Sequence, residues 1–180
     1  MRVVLDVCVL IPAALRDTLL RAAYAGIYTA LWSPSILEEV HRNLLELGLR
    51  QEQVQKLLTR MESAFPDASV SDYQSMINSM KNHPKDRHVL AAAVTSAANV
   101  IVTSNPRHFP ESALVSYGVQ AMSPDAFLTS LYDQHPDMLT QVVIGQASVL
   151  EKPPMTVWKV LDQVAVQAPT FAQLVRQNLK

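Results

Sequence analysis

Short, wholly apolar runs alternate along the chain with stretches whose apolar residues recur at helical spacing. Val3-Val4-Leu5 is a β-branched run that ends at Asp6, which predicts a strand, and the apolar positions of 13–25, opened by Pro12 and closed at Gly26, predict a helix. A second apolar piece, 28–32, is followed by Ser33 as N-cap and Pro34 at the first helical position, so a helix is expected to run through Leu47 and stop at Gly48. Residues 51–64 read as another helix and 72–80 as a weaker one, before His83-Pro84 breaks the chain. Asp86 then caps an Ala-rich helix over 87–98, Val100-Ile101-Val102 forms a strand, 119–122 forms the last strand, and Pro124 starts a helix reaching about His135. Beyond it, 136–180 holds no good strand and reads as two or three helices separated by Pro153-Pro154 and Pro169.

Strands that are apolar throughout can dispense with polar alternation only when both faces are covered, so the repeated strand–helix units predict a parallel sheet between helical layers. The expected fold is a three-layer α/β/α sandwich with C-terminal helices. The expected division is a domain over 1–130 and a helical extension over 131–180 packed on or near it.

Composition narrows the function classes. The 180 residues carry a formal net charge of −1, too little excess positive charge for a protein that coats nucleic acid by releasing counterions, so any such contact is local. The apolar start is too short for a signal peptide, and no stretch approaches the roughly 20 residues of a membrane span, so a cytoplasmic protein with no membrane role is expected. Cys8 is the single cysteine, which excludes an internal disulfide and a multi-thiolate zinc site.

In an open parallel sheet the crevice lies beyond the carboxyl ends of the strands. Asp6, Glu39, Asp86, Asn105 and His108 all fall just after strands or at helix starts, and His41, His83 and His88 lie in or beside the same segments. Taken singly, each acid has a plain structural role: Asp6 and Asp86 as helix caps, Glu39 on a solvated face. Carboxylates gathered in one place repel, so their convergence makes physical sense with a cation among them. Oxygen ligands of this kind suit Mg²⁺ or Mn²⁺, which assists phosphodiester hydrolysis. Cys8 reads as a small hydrophobe rather than a nucleophile, and Trp32 and Tyr73 read as core residues.

The segments Val3-Val4-Leu5-Asp6-Val7-Cys8-Val9-Leu10, Trp32-Ser33-Pro34-Ser35-Ile36-Leu37-Glu38-Glu39-Val40, Asp86-Arg87-His88-Val89-Leu90-Ala91-Ala92-Ala93 and Val102-Thr103-Ser104-Asn105-Pro106-Arg107-His108-Phe109-Pro110 occur in this order. In order and spacing they resemble the PIN-domain family, in particular VapC-like toxin ribonucleases with a helical C-terminal extension. The resemblance implies an endoribonuclease in which Asp6, Glu39 and Asp86 hold Mg²⁺ or Mn²⁺. It further implies a toxin that acts on RNA, forms a homodimer and is restrained by an antitoxin protein. The resemblance favours Glu39 over its neighbour Glu38, because the family's acid follows the Ser or Thr of the helix start at this spacing, and Glu39 also flanks the stripe Ile36, Val40 and Leu44. Arg87, Arg107 and Asn105 are the candidates for holding phosphate, with Lys85 and Arg42 behind them. Cys8 stands where the family commonly has Asn or Ser, and His108 where it often has a fourth acid. His108 is therefore a candidate metal ligand or a residue that has lost the acid's role, and the alternative to an enzyme is a catalytically degenerate module that binds RNA or a protein.

Overall fold

A computed structural model of the chain describes residues 1–149 and 155–179. In chain order its elements are β1 (Arg2–Leu5), α1 (Val7–Leu10), α2 (Ala13–Tyr24), β2 (Thr29–Leu31), α3 (Pro34–Glu46), α4 (Gln51–Ala64), α5 (Arg87–Thr95), β3 (Val100–Val102), α6 (Glu111–Leu114), β4 (Gln120–Met122), α7 (Pro124–Gln134), α8 (Pro136–Ser148), α9 (Val157–Ala165) and α10 (Pro169–Asn178). Tight 3₁₀ turns occupy Gln74–Ser79, Pro84–Asp86, Pro106–His108 and Val115–Tyr117. This is the α/β/α class with a parallel sheet and C-terminal helices that the alternation predicts. Among the described residues no helix is long and apolar enough to cross a membrane.

The elements group into two compact units. The first, Met1–Ile11 with Thr29–Met122, contains the whole sheet. Its strands run in the order β2-β1-β3-β4, all parallel. Val4 pairs with Leu31 on one side and Ile101 on the other, and Val3, Val4, Leu5, Ile101 and Val102 have no exposed surface. That complete burial is why these strands carry no polar alternation. Winding reverses at β1, with β2 to one side and β3 and β4 to the other, so the carboxyl ends of β1 and β3 mark the switch point at which open α/β sheets bind their ligands. The small side chains of α5 let it pack closely on β1 and β3, and Val89 through Ala93 are all buried.

α3 starts and stops as its sequence predicts. The Ser33 hydroxyl accepts from the Ile36 amide at 3.3 Å, Pro34 takes the first turn, and Gly48 adopts φ +89° beyond the last residues, a conformation that costs a Cβ-bearing residue more. Ile36, Val40 and Leu44 are buried as a stripe, and Trp32 and Tyr73 are core residues.

Three stretches differ from expectation. The helix expected over 72–80 is a 3₁₀ segment over Gln74–Ser79, and it cannot start at Asp72, which sits in the left-handed region at φ +61°. The helix expected to reach residue 98 ends at Thr95, because Ala97 turns through φ +51° to deliver the chain to β3. Between β1 and α2 stands the unpredicted single turn α1, made by the Asp6 carboxylate accepting from the Val7 amide at 2.7 Å.

The second unit joins Pro12–Tyr28, which contains α2, to the described residues from Ser123 onward. Tyr28 meets Phe127 edge-on at 5.1 Å between centroids and donates its hydroxyl to the Leu19 carbonyl. Gln146 on α8, 1% exposed, accepts from the Thr18 hydroxyl at 2.7 Å and donates to the Ala14 carbonyl at 3.0 Å. A buried amide with both ends satisfied fixes the register of α2 against α8. Among the described residues the tail from Pro136 onward contributes three helices; Pro169 begins α10, and the expected break at Pro153-Pro154 lies outside the described residues.

Candidate active site

Asp6 is the first residue past β1, where the winding reverses, and is 5% exposed. Its backbone amide continues the sheet by donating to the Val102 carbonyl at 3.1 Å. One carboxylate oxygen, Oδ1, caps α1, and the other, Oδ2, accepts from the Thr103 hydroxyl at 2.7 Å and the Cys8 thiol at 3.2 Å. Thr103 in turn accepts from the Asn105 amide at 3.0 Å, and Cys8 Sγ accepts from the Ser104 amide at 3.1 Å. The end of β1 and the end of β3 are thus knit together around one carboxylate. Burial pushes the Asp6 carboxyl above its usual range, the bonds from Thr103 and Cys8 oppose that, and the charge of nearby Asp86 pushes it further up.

Cys8 therefore supplies the hydrogen bond that an Asn or Ser would supply. Its thiol is pushed up to about 11, first by burial and then by the Asp6 charge, so it is protonated and a donor at neutral pH. This protonation agrees with the reading of Cys8 as a non-nucleophile.

Asp86 precedes α5 but leaves the helix uncapped by its side chain. Its Oδ2 instead accepts from His108 Nδ1–H at 2.7 Å, with His83 Nδ1 3.6 Å from the same oxygen. The residue spacing explains the second contact. Pro84 starts a 3₁₀ turn, and at three residues per turn positions i and i+3 lie on one face. The turn after β3, started by Pro106, brings His108 to the same place, where the rings of His83 and His108 stack at 4.2 Å and 14°.

Glu39 is half-buried on α3 and pairs with His88 Nε2 of α5 at 3.3 Å, whereas Glu38 is exposed. Of the predicted acids, Asp6 and Asp86 lie within electrostatic reach of one another, and Glu39 is tied to the first turn of α5 through His88 without a direct bond to either. His108 joins the cluster directly. Arg87 lies in that first turn with a buried Nε that has no partner; Asn105 is half-buried below Thr103, and Arg107, Lys85 and Arg42 are exposed. His83 and His88 are the residues whose contacts the sequence left unassigned. The spacing His83-Pro84-x-Asp86 is the signal that marks the first of them.

These side chains fit a divalent cation. Two nearby carboxylates raise the cost of ionisation, Asp6 keeps unused lone pairs after accepting its three bonds, and His83 Nδ1 is a buried nitrogen with no hydrogen-bond partner beside Asp86. The His83, Asp86 and His108 donor atoms all lie within 4.8 Å of one another.

Two family descriptions match the chain. Residues 2–107 match the family described as PIN domain, and residues 124–177 match the one described as VapC50 C-terminal domain. Over 105 residues the chain is 43% identical to the Mycobacterium tuberculosis (strain ATCC 25618 / H37Rv) protein named "Putative ribonuclease VapC50", covering 58% of this chain and 62% of that relative's length. No solved structure matches the chain.

Proposed function

The chain belongs to the PIN-domain family, and from that premise we propose that it is a metal-dependent endoribonuclease that hydrolyses RNA phosphodiester bonds. The observation that carries the reading is the pairing of Asp6, buried at the reversal point of the sheet, with Asp86 close enough to push its carboxyl pKa up. Such a pair is costly in a bare protein and well suited to holding a cation.

In this reading Asp6, Glu39 and Asp86 hold Mg²⁺ or Mn²⁺, with His108 beside Asp86. The chemistry such an ion supplies when bound is polarisation of the phosphoryl oxygen and acidification of a water. The protein's part is to position. Asp6 is held in one orientation by Val7, Thr103 and Cys8, so its free lone pairs are directed without further ordering at the moment of reaction. Arg87, with its unpartnered Nε, and the exposed Arg107 grip the phosphate backbone, and Asn105 holds the loop that carries Arg107.

The match to a ribonuclease-named relative supports the same reading, and we extend it to the toxin of a toxin–antitoxin pair, working as a homodimer in the cytoplasm and restrained by an antitoxin protein. A catalytically silent module is the poorer reading, because Cys8, one of its two motives, donates to Asp6 and so does the work of a polar residue. The test is cleavage of a labelled single-stranded RNA by the purified chain. Cleavage in Mg²⁺ or Mn²⁺ that stops with EDTA supports the nuclease; intact RNA in both metals, with RNA binding unchanged by EDTA, supports the silent module.

A further inference from the structure

We propose that His83, Asp86 and His108 form a nitrogen-bearing site that selects a transition dication, of the Co²⁺, Zn²⁺ or Mn²⁺ kind, over Mg²⁺. The proposal shares Asp86 with the reading above but does not need the chain to cleave RNA.

Three features of the cluster point the same way. First, both imidazoles present Nδ1 to a single oxygen, Asp86 Oδ2, at 2.7 and 3.6 Å. Two donors bound to one ion at about 2.1 Å, at angles between octahedral and tetrahedral, lie roughly 3.0–3.4 Å apart, and the observed separations bracket that range. Second, the arrangement is built into the backbone: the His83 amide donates to the His108 carbonyl at 3.0 Å, the Asp86 amide to the His83 carbonyl at 2.9 Å, and Asn82 Nδ2 to the Asp86 carbonyl at 3.0 Å. The backbone of the site is therefore already ordered, and binding requires the two stacked rings to turn until both planes contain the ion. Third, His83 Nδ1 is buried and makes no hydrogen bond, although water is the usual partner of a histidine at a surface loop. A hydrogen bond explains only one of the two imidazoles on that oxygen. An ion shared by all three groups satisfies both.

Imidazole nitrogen favours borderline transition ions, whereas Mg²⁺ is held by oxygen ligands and retains its waters. The ligand set therefore discriminates between metals that an all-carboxylate cluster accepts alike.

The experiment is a Co²⁺ titration of the full chain, followed by visible absorption and by the paramagnetic broadening of histidine side-chain resonances. The expected result is broadening of His83 and His108 ahead of His41 and His135, without displacement by equimolar Mg²⁺. His83→Gln and His108→Gln should each weaken Co²⁺ by at least the roughly 10–100-fold that even an outer-shell partner costs. The wild-type resonances decide the matter if either variant fails to fold. Co²⁺ binding that leaves both imidazoles sharp, or that Mg²⁺ displaces at equal concentration, overturns the proposal. Metal-dependent RNA cleavage alongside that outcome would leave the nuclease reading intact; broadening of both imidazoles without cleavage would do the reverse.

Discussion

The hydroxyl of Thr103 donates to the carboxylate of Asp6 at 2.7 Å, joining the residue after β3 to the residue after β1 with no exposed surface on Thr103. Thr103→Val keeps the shape and removes both this donor and the acceptor for the Asn105 amide. A buried group left short of a partner costs about 1–3 kcal/mol, so the variant's unfolding free energy should fall by that amount and its urea midpoint should drop accordingly. Its metal-dependent cleavage should fall by about 10-fold, as when an outer-shell partner is lost. An unchanged urea midpoint would mean that the bond does not hold the strand ends together.

The raised Asp6 carboxyl pKa has a definite sign in pH dependence. Its folded value lies above 3.8, so between the two values the native state keeps a proton that the unfolded chain has released. Stability contributed by Asp6 therefore falls as pH rises through that window and stays reduced above it. Asp6→Asn has no such titration. The difference in unfolding free energy, wild type minus variant, should decrease from about pH 4 upward in EDTA, and parallel pH curves for the two proteins would contradict the assignment. The slope is the readout because Asn offers one acceptor to a site that has three donors.

Cys8 gives an independent view of the same site. With its thiol pushed up to about 11, the thiolate is roughly one part in a thousand near pH 8, so alkylation by iodoacetamide should be slow there and accelerate toward pH 11. Mass spectrometry reads this cleanly because no other cysteine is present. Rapid modification at about pH 8 would show that the thiol is not acting as the donor to Asp6.

Glu38 and Glu39 separate by burial. Glu39 faces His88, and Glu38 is exposed. Glu39→Gln, which replaces a metal-holding carboxylate with a neutral amide, should lower cleavage by more than the roughly 10–100-fold that losing an outer-shell partner costs. Glu38→Gln should stay within about two-fold, as surface substitutions do. A loss in Glu39→Gln no larger than that in Glu38→Gln would remove Glu39 from the centre.

Much of this was legible because local rules and tertiary structure agree. Ser33-Pro34 and Gly48 bracket α3 by capping chemistry, and the fully apolar Val3-Val4-Leu5 and Val100-Ile101-Val102 mark central strands. The acids after those elements follow from the rule about strand ends. What stayed hidden depends on groups far apart in the chain. α1 exists because Asp6 caps a four-residue turn too short to show a period. Asp72 and Ala97 take left-handed backbone that residue type does not announce. The meeting of His83 with His108 needs two Pro-started turns to be laid side by side, and the grouping of α2 with the C-terminal helices rests on a buried amide, Gln146, whose partners lie at the other end of the sequence.

The most direct test of the nuclease reading is RNA cleavage by the wild type and by Asp6→Asn, prepared identically and each shown by circular dichroism to be folded. The account predicts cleavage that requires Mg²⁺ or Mn²⁺ in the wild type and none in the variant. A folded Asp6→Asn protein that still cuts RNA in a metal-dependent way would contradict it.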